Sequence, residues 1–170
     1  MTKTIILGAG LAGLSAGRCL QAQGHEVHII DKGRGVGGRL ATRRLGGARL
    51  DHGAQFFTTR GELFTETVAQ AVEAGAVSEW CRGFAEHDGY PRYRGTDGMT
   101  SLAKWMATGL DMQLGVEVDR IETAEGQVQL LAANGDPIAH AEQAVVTAPI
   151  PQMLQLFDRG NVRPAAELDS

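Results

Sequence analysis

The 170 residues predict an α/β domain built on a parallel sheet. Two observations carry that prediction. An apolar, β-branched run, TIIL at 4–7, passes directly into the glycine-punctuated GAGLAG at 8–13 and then into a helical apolar stripe. A second β-like run, HEVHII at 25–30, follows and closes on Asp31. Strand, helix and strand within about thirty residues is the unit that lays two strands parallel, with the helix crossing over. A strand covered on both faces reads as a continuous apolar run rather than an alternating one.

The bulk composition bounds the remaining possibilities. With 43% apolar and 21% charged residues, the chain is that of a folded domain with a core. Its 23 glycines call for tight turns and close backbone approaches. A net charge of −4 argues against a general nucleic-acid binder, which needs a broad basic face to neutralise phosphates. Cys19 and Cys81 stand far apart with no CxxC, so disulfide, zinc and dithiol motifs all lack sequence support, and both are expected as buried or inert thiols. The N-terminal apolar stretch is too glycine-interrupted for a signal peptide, and no window reaches the ~18 apolar residues of a membrane span. These features predict a soluble, cytoplasmic protein.

Each element of the first thirty residues then has a reason. Gly8, Gly10 and Gly13 match G-x-G-x-x-G between strand and helix. In that motif the first glycine permits the sharp turn, the second lets the backbone approach a pyrophosphate, and the third lets helix and strand pack closely. Leu11, Ala12, Leu14, Ala16 and Leu20 give the helical stripe, and Gly24 is its expected terminator. The helix start at Leu11 and Ala12 offers unpaired donors and a positive dipole end to phosphate. Asp31 ends the second strand, where an acid accepts hydrogen bonds from a ribose hydroxyl. Strand, glycines, helix, strand and acid in order predict a dinucleotide site. The acid disfavours a 2′-phosphate, which leaves NAD or FAD ahead of NADP.

The next stretch, DKGRGVGGRLATRR at 31–44, sets five cations and four glycines behind one acid. Gly37 and Gly38 let the backbone come close, and Arg39 carries a planar fork of donors suited to phosphate oxygens. The anion this loop best fits is the cofactor's own pyrophosphate, with Lys32 at its start. A solvated turn or a nucleic-acid arm has the same residue types, so both readings remain beside it.

Together, GAGLAGLSAG and VHIIDKGRGVGGRLATR resemble the flavoprotein superfamily of amine oxidases, phytoene desaturases and renalases. Its pattern is G-x-G-x-x-G, an acid ending the second strand, and G-G-R before a small or hydroxyl residue, here Thr42. The family usually has Glu where this chain has Asp31. LDHGAQFFTTR at 50–60 is similar to the segment beside the flavin ring in renalase-like proteins, and the resemblance implies flavin contacts at Gly53, Ala54, Gln55 and Phe56. GTDGMTSLAKWMA at 95–107 resembles the turn and helix that follow. GVEVDRIE is similar to the strand whose Val118 meets the adenine through its backbone, with Ile121 beneath. AVVTAPIPQ resembles the strand and turn closing the cofactor domain, with Thr147, Ala148, Pro149 and Gln152. The cofactor so implied is FAD.

The middle of the chain is less specific. Leu63, Phe64, Val68, Ala71 and Val72 recur at helical spacing over 61–75, with Gly75 as terminator. Trp80, Phe84, Tyr90, Tyr93 and Trp105 are expected as packing residues, a pocket wall being the alternative. Residues 111–147 alternate toward strands, with EG and NGD as turns. Asp51 and His52 are titratable within the segment assigned to the flavin, but the reading preferred is that they hold backbone and fix the turn before Gly53. No catalytic residue and no metal site is assigned.

The expected organisation is a Rossmann-type FAD-binding segment at 1–60, the start of a substrate-side segment at 61–110, a return to the cofactor domain at 111–153 including the β excursion, and a truncated tail at 154–170. The resemblance covers about the first half of the family pattern, which implies an uncovered face and self-association through it. The function expected is FAD-dependent oxidation of a small molecule, with no nucleic-acid or membrane partner. The alternatives are a non-catalytic FAD- or nucleotide-binding fragment that needs a partner, and an NAD-dependent dehydrogenase. The G-G-R insertion weighs against the dehydrogenase.

Overall fold

A computed structural model describes residues 1–83 and 89–163 of the chain. In chain order its elements are β1 (Lys3–Leu7), α1 (Leu11–Ala22), β2 (Glu26–Asp31), a 3-10 turn at Gly38–Leu40, β3 (Thr42–Leu45), β4 (Ala48–Asp51), α2 (Glu62–Glu73), β5 (Val77–Arg82), β6 (Pro91–Gly95), α3 (Thr100–Met106), β7 (Asp111–Leu114), β8 (Arg120–Ala124), β9 (Gln127–Leu131), β10 (Pro137–Ala141), β11 (Gln143–Val146) and α4 (Ile150–Arg159). They form two compact units, one of residues 1–35 with 109–170, the other of residues 36–108. The divisions fall at Gly35 and Thr108, where the sequence places segment ends at 60 and 110.

The first unit is built on the predicted parallel sheet, with strand order β11-β1-β2-β7. The register pairs Thr4 with Val27 and Gln143, and Leu7 with Ile30 and Val146. Ile5, Ile6, Ile29 and Ile30 are fully buried, as a strand covered on both faces requires. One face carries Ile5, Leu7 and Ile30 into a core with Val118, Ile121, Leu130 and Ala141. The other face meets α1, and Gly17 is the contact point: a Cβ there would stand 3.0 Å from Cδ1 of Ile29. Each of these aliphatic side chains contributes roughly 1.5–3 kcal/mol by leaving water.

Helix α1 ends as its sequence suggests, with Gly24 at φ 86° one position past the cap residue Gln23. The expected hairpin-like excursion is a three-stranded antiparallel sheet, β10-β9-β8. Within the segment from 154 onward, α4 runs to Arg159, which bonds Asp119 at 2.8 Å. Asn161 then brackets Thr123, accepting its N–H at 2.7 Å and donating to its carbonyl at 2.9 Å. Residues 164–170 lie outside the described residues, as does Phe84.

The second unit holds two antiparallel ribbons, β3-β4 and β5-β6. Gly46 and Gly47 join β3 to β4 at φ 54° and 83°, the pair of positive angles that a two-residue type I′ hairpin demands. In α2 only Val68 and Ala71 of the predicted stripe are buried; Leu63 is 82% exposed, because the helix covers little beyond its middle turn. Phe57 is the centre of aromatic packing, against Tyr93 and Phe64 at ring separations of 5.8 and 5.7 Å. Trp80 and Tyr90 stay largely exposed, Trp80 beside Phe56 at 5.8 Å. Cys19 is exposed rather than buried, since it sits on the outward face of α1. No helix among the described residues is long and apolar enough to cross a membrane.

Candidate nucleotide-binding site

The fingerprint glycines play three different parts. Gly8 adopts φ 117°, a region that L side chains rarely enter, and its N–H donates to the carbonyl of Ile30 at 2.8 Å. Gly13 lies against the turn: a Cβ there would come within 1.8 Å of the Gly8 carbonyl oxygen. The third close approach expected of the motif is thus helix against turn, at Gly8 itself. Gly10 is unlike both. It caps α1 with φ −78° and ψ −178°, angles any residue adopts, and a Cβ on it would meet nothing within 4 Å. It makes no side-chain cap, and Ser, Asp or Asn would improve on glycine there by only about a few tenths of a kcal/mol. The fold requires glycine at 8 and 13 but not at 10.

Asp31 organises the loops around the helix start. Its two carboxylate oxygens accept the N–H of Ala9 and the N–H of Gly33, each at 2.6 Å. The backbone carbonyl of Asp31 takes the N–H of Val116 at 3.1 Å, and Gly115 donates to the Gly33 carbonyl at 2.9 Å. Each carboxylate oxygen keeps a further lone pair, so a ribose hydroxyl can still be accepted. Lys32 is exposed beside it.

Thr147, which sequence reasoning placed only in the closing strand and turn, reaches this same loop. Its N–H donates to the Leu7 carbonyl at 2.9 Å and its hydroxyl to the same oxygen at 3.0 Å. The signal available was a hydroxyl residue at the end of a strand pairing with the one that leads into the fingerprint. Ala148 and Pro149 follow it as the lead into α4, whose first turn is closed by bonds from Gln152 and Met153 to the Pro149 carbonyl. Val118 is 8% exposed and Ile121 2%, so both side chains belong to the core.

The remaining predicted residues lie in the second unit, which brings two sequence motifs together. Ala54 N–H donates to the Arg39 carbonyl at 2.9 Å, and a Cβ on Gly53 would collide with that same oxygen at 2.0 Å. The G-G-R turn and the 50–60 segment therefore form one local structure. Gly37, at φ 114°, caps the 3-10 turn from Gly38 to Leu40 and leaves the Arg39 side chain exposed. Gln55 and Phe56, which follow Ala54 in sequence, are exposed.

Asp51 and His52 perform the structural task preferred for them. Asp51 accepts the Thr42 hydroxyl at 2.5 Å and the Met99 N–H at 3.0 Å, and His52 bonds the Ala41 carbonyl at 3.0 Å. An open cavity of about 380 Å³ in this unit is lined by Thr42, Arg44, Thr96, Asp97, Ser101 and Lys104 among others, and contains none of the residues assigned to the cofactor. The one clear pKa displacement among the described residues is at Arg120. Its hydrogen bond to Glu122 at 2.8 Å, with Asp119 nearby, holds the guanidinium above its ordinary value. That ion group ties strand β8 to α4 and takes no part in the nucleotide loop.

The chain is 30% identical over 145 residues to polyamine oxidase 1 of Oryza sativa subsp. japonica, covering 84% of this chain and 26% of that protein. It is 43% identical over 58 residues to a 1-hydroxycarotenoid 3,4-desaturase of Flavobacterium sp., covering 34% of this chain and 12% of that protein. It thus spans about a quarter or less of the length of these relatives. A solved triple mutant of putrescine oxidase shares the fold, with a TM-score of 0.75 at 13% identity over 99% of this chain and 62% of that one. The profile of the NAD(P)-binding Rossmann-like domain matches residues 6–71. That of the flavin containing amine oxidoreductases matches residues 72–170, more than half of the chain. The chain belongs to the flavin-containing amine oxidoreductase family, whose cofactor is FAD.

Proposed function

We propose that the chain binds FAD at the Gly8–Gly13 turn as part of an oxidoreductase that oxidises a small reduced organic substrate. The observation that carries the reading is Gly10. No neighbour in the fold excludes a side chain there, since a Cβ on Gly10 would meet nothing within 4 Å, and the open space above it suits a ligand that backbone must approach. The donors at the start of α1 suit the pyrophosphate, and Asp31 suits a ribose hydroxyl. Gly38 and Arg39, with Gly53, Ala54, Gln55 and Phe56, are assigned to the cofactor by resemblance.

FAD in such an enzyme supplies a two-electron acceptor for an amine or a dihydronicotinamide-like donor, with dioxygen as reoxidant. The residues of this chain would bind and orient; no side chain here is assigned to proton transfer, since Asp51 and His52 are engaged in holding the backbone. The first experiment is the visible absorption spectrum of the chain after incubation with FAD and desalting. Retained flavin bands that disappear in Gly10→Val, with the unfolding temperature preserved, support the reading. Equal retention by wild type and Gly10→Val overturns it.

A further inference from the structure

We propose that Thr147 is a positioning residue, whose hydroxyl sets the peptide plane from which the nucleotide-binding turn departs. The Leu7 carbonyl oxygen accepts two hydrogen bonds from this one residue, the N–H at 2.9 Å and the hydroxyl at 3.0 Å. The other side of the same peptide group is Gly8 N–H, which donates to the Ile30 carbonyl at 2.8 Å. The Leu7–Gly8 peptide is therefore held at both ends, by β11's end on one side and β2 on the other. Its orientation decides where Gly8, at φ 117°, sends the chain next.

The glycines are what admit the hydroxyl. A Cβ on Gly8 would stand 2.4 Å from Thr147 Oγ1, and one on Gly13 would stand 3.1 Å from it. The same oxygen lies 3.4 Å from the Gly8 carbonyl, so it meets the consecutive carbonyls of Leu7 and Gly8. Two of the three fingerprint glycines thus clear space for a side chain more than a hundred residues away. A backbone pairing alone does not explain this, because β11 and β1 are already joined in register up to Leu7 and Val146. The hydroxyl adds a second bond to an already paired carbonyl, where the gain is orientation.

The consequence for cofactor binding rests on the FAD reading above; the consequence for the loop does not. The test compares Thr147→Ala with Thr147→Ser in the full chain, since both lack the γ-methyl and only one keeps the hydroxyl. Amide hydrogen exchange at Gly8 in the cofactor-free protein is the first readout. One neutral hydrogen bond corresponds to roughly a five- to tenfold change, so exchange at Gly8 should accelerate by about that factor in Thr147→Ala and return to within about twofold in Thr147→Ser. The amide of Ile6, deeper in β1, should stay at its wild-type rate. The FAD dissociation constant, followed by flavin fluorescence, should rise by a similar factor in Thr147→Ala only. Equal exchange at Gly8 in the two variants overturns the proposal, as does equal acceleration at Ile6, which would make the effect one of general sheet stability. Faster exchange with unchanged FAD affinity overturns the cofactor consequence. If exchange responds as stated while the wild-type chain takes up no FAD, the loop role stands and the FAD reading fails.

Discussion

The carboxylate of Asp31 accepts the backbone N–H of Ala9 at 2.6 Å, fastening the end of β2 to the residue between the first two fingerprint glycines. Its second oxygen accepts Gly33 at the same distance. A residue expected to serve the ribose therefore also shapes the loop that would receive the phosphates. Asp is short enough to turn both oxygens onto nearby backbone, which gives the shorter acid a purpose of its own at this position.

The two roles separate by mutation. Asp31→Asn keeps the size but leaves one acceptor oxygen and presents an amide donor to a second N–H. Hydrogen bonds to a charged group contribute about 1.5–3 kcal/mol each, reduced here by partial exposure. The cofactor-free chain should lose about 1–2 kcal/mol in denaturant unfolding. An unchanged midpoint would show that the two bonds add nothing to stability.

Asp51 gives the corresponding prediction for the second unit. It joins the Thr42 hydroxyl and the Met99 N–H, residues on different segments of that unit. Asp51→Ala should therefore destabilise by about 1–3 kcal/mol, the cost of leaving partly buried donors unpaired. His52→Ala removes a single bond from an exposed ring and should cost less than about 1 kcal/mol. If the order of the two variants is reversed in thermal unfolding, the assignment of Asp51 as the local tie is wrong.

Arg39 distinguishes the two readings of the basic loop. Its side chain is exposed, so Arg39→Ala should leave the unfolding midpoint within about 0.5 kcal/mol of wild type. The resemblance assigns it to the pyrophosphate, and loss of a charge-assisted contact should weaken FAD binding by about tenfold or more. Unchanged FAD affinity, together with loss of binding to a single-stranded RNA probe, would make the loop a nucleic-acid arm.

Much of the first unit was legible because its signals are local. TIIL, the glycine spacing, the helical stripe and the terminal Asp31 all fall within thirty residues, and each has one conformational meaning. The parallel partner β11 was legible as a strand, but Thr147's reach to Leu7 is a pairing across most of the chain, which no local pattern encodes. The helical spacing of 61–75 was likewise readable, whereas the exposure of Leu63 was not, since periodicity names a face without saying what covers it. The link between the Arg39 carbonyl and Ala54 joins two motifs that sequence reasoning treated separately. Its signal was Gly53, a glycine that close backbone approach requires.

Gly13 and Gly17 sit one turn apart on α1 and should respond differently to the same change. Replacing a helical glycine by alanine gains up to about 1 kcal/mol of helix propensity, so the sign rests on what the new methyl meets. At Gly17 it would meet Cδ1 of Ile29 at 3.0 Å and the Leu110 methyls at 3.4–3.5 Å, which are the far ends of side chains that can turn aside. Gly17→Ala should therefore lie within about 1 kcal/mol of wild type. At Gly13 the methyl would lie 1.8 Å from the Gly8 carbonyl oxygen, a backbone atom. The neighbouring Leu7–Gly8 peptide is already held by Ile30 and Thr147, so that oxygen has little freedom to yield. Overpacking a fixed site costs about 1–3 kcal/mol or more, which exceeds the propensity gain. Gly13→Ala should lower the unfolding midpoint and also FAD retention, because relief requires α1 to move away from the turn. Equal stability of the two variants would mean that the turn relaxes freely and that helix and turn are not locked together at Gly8.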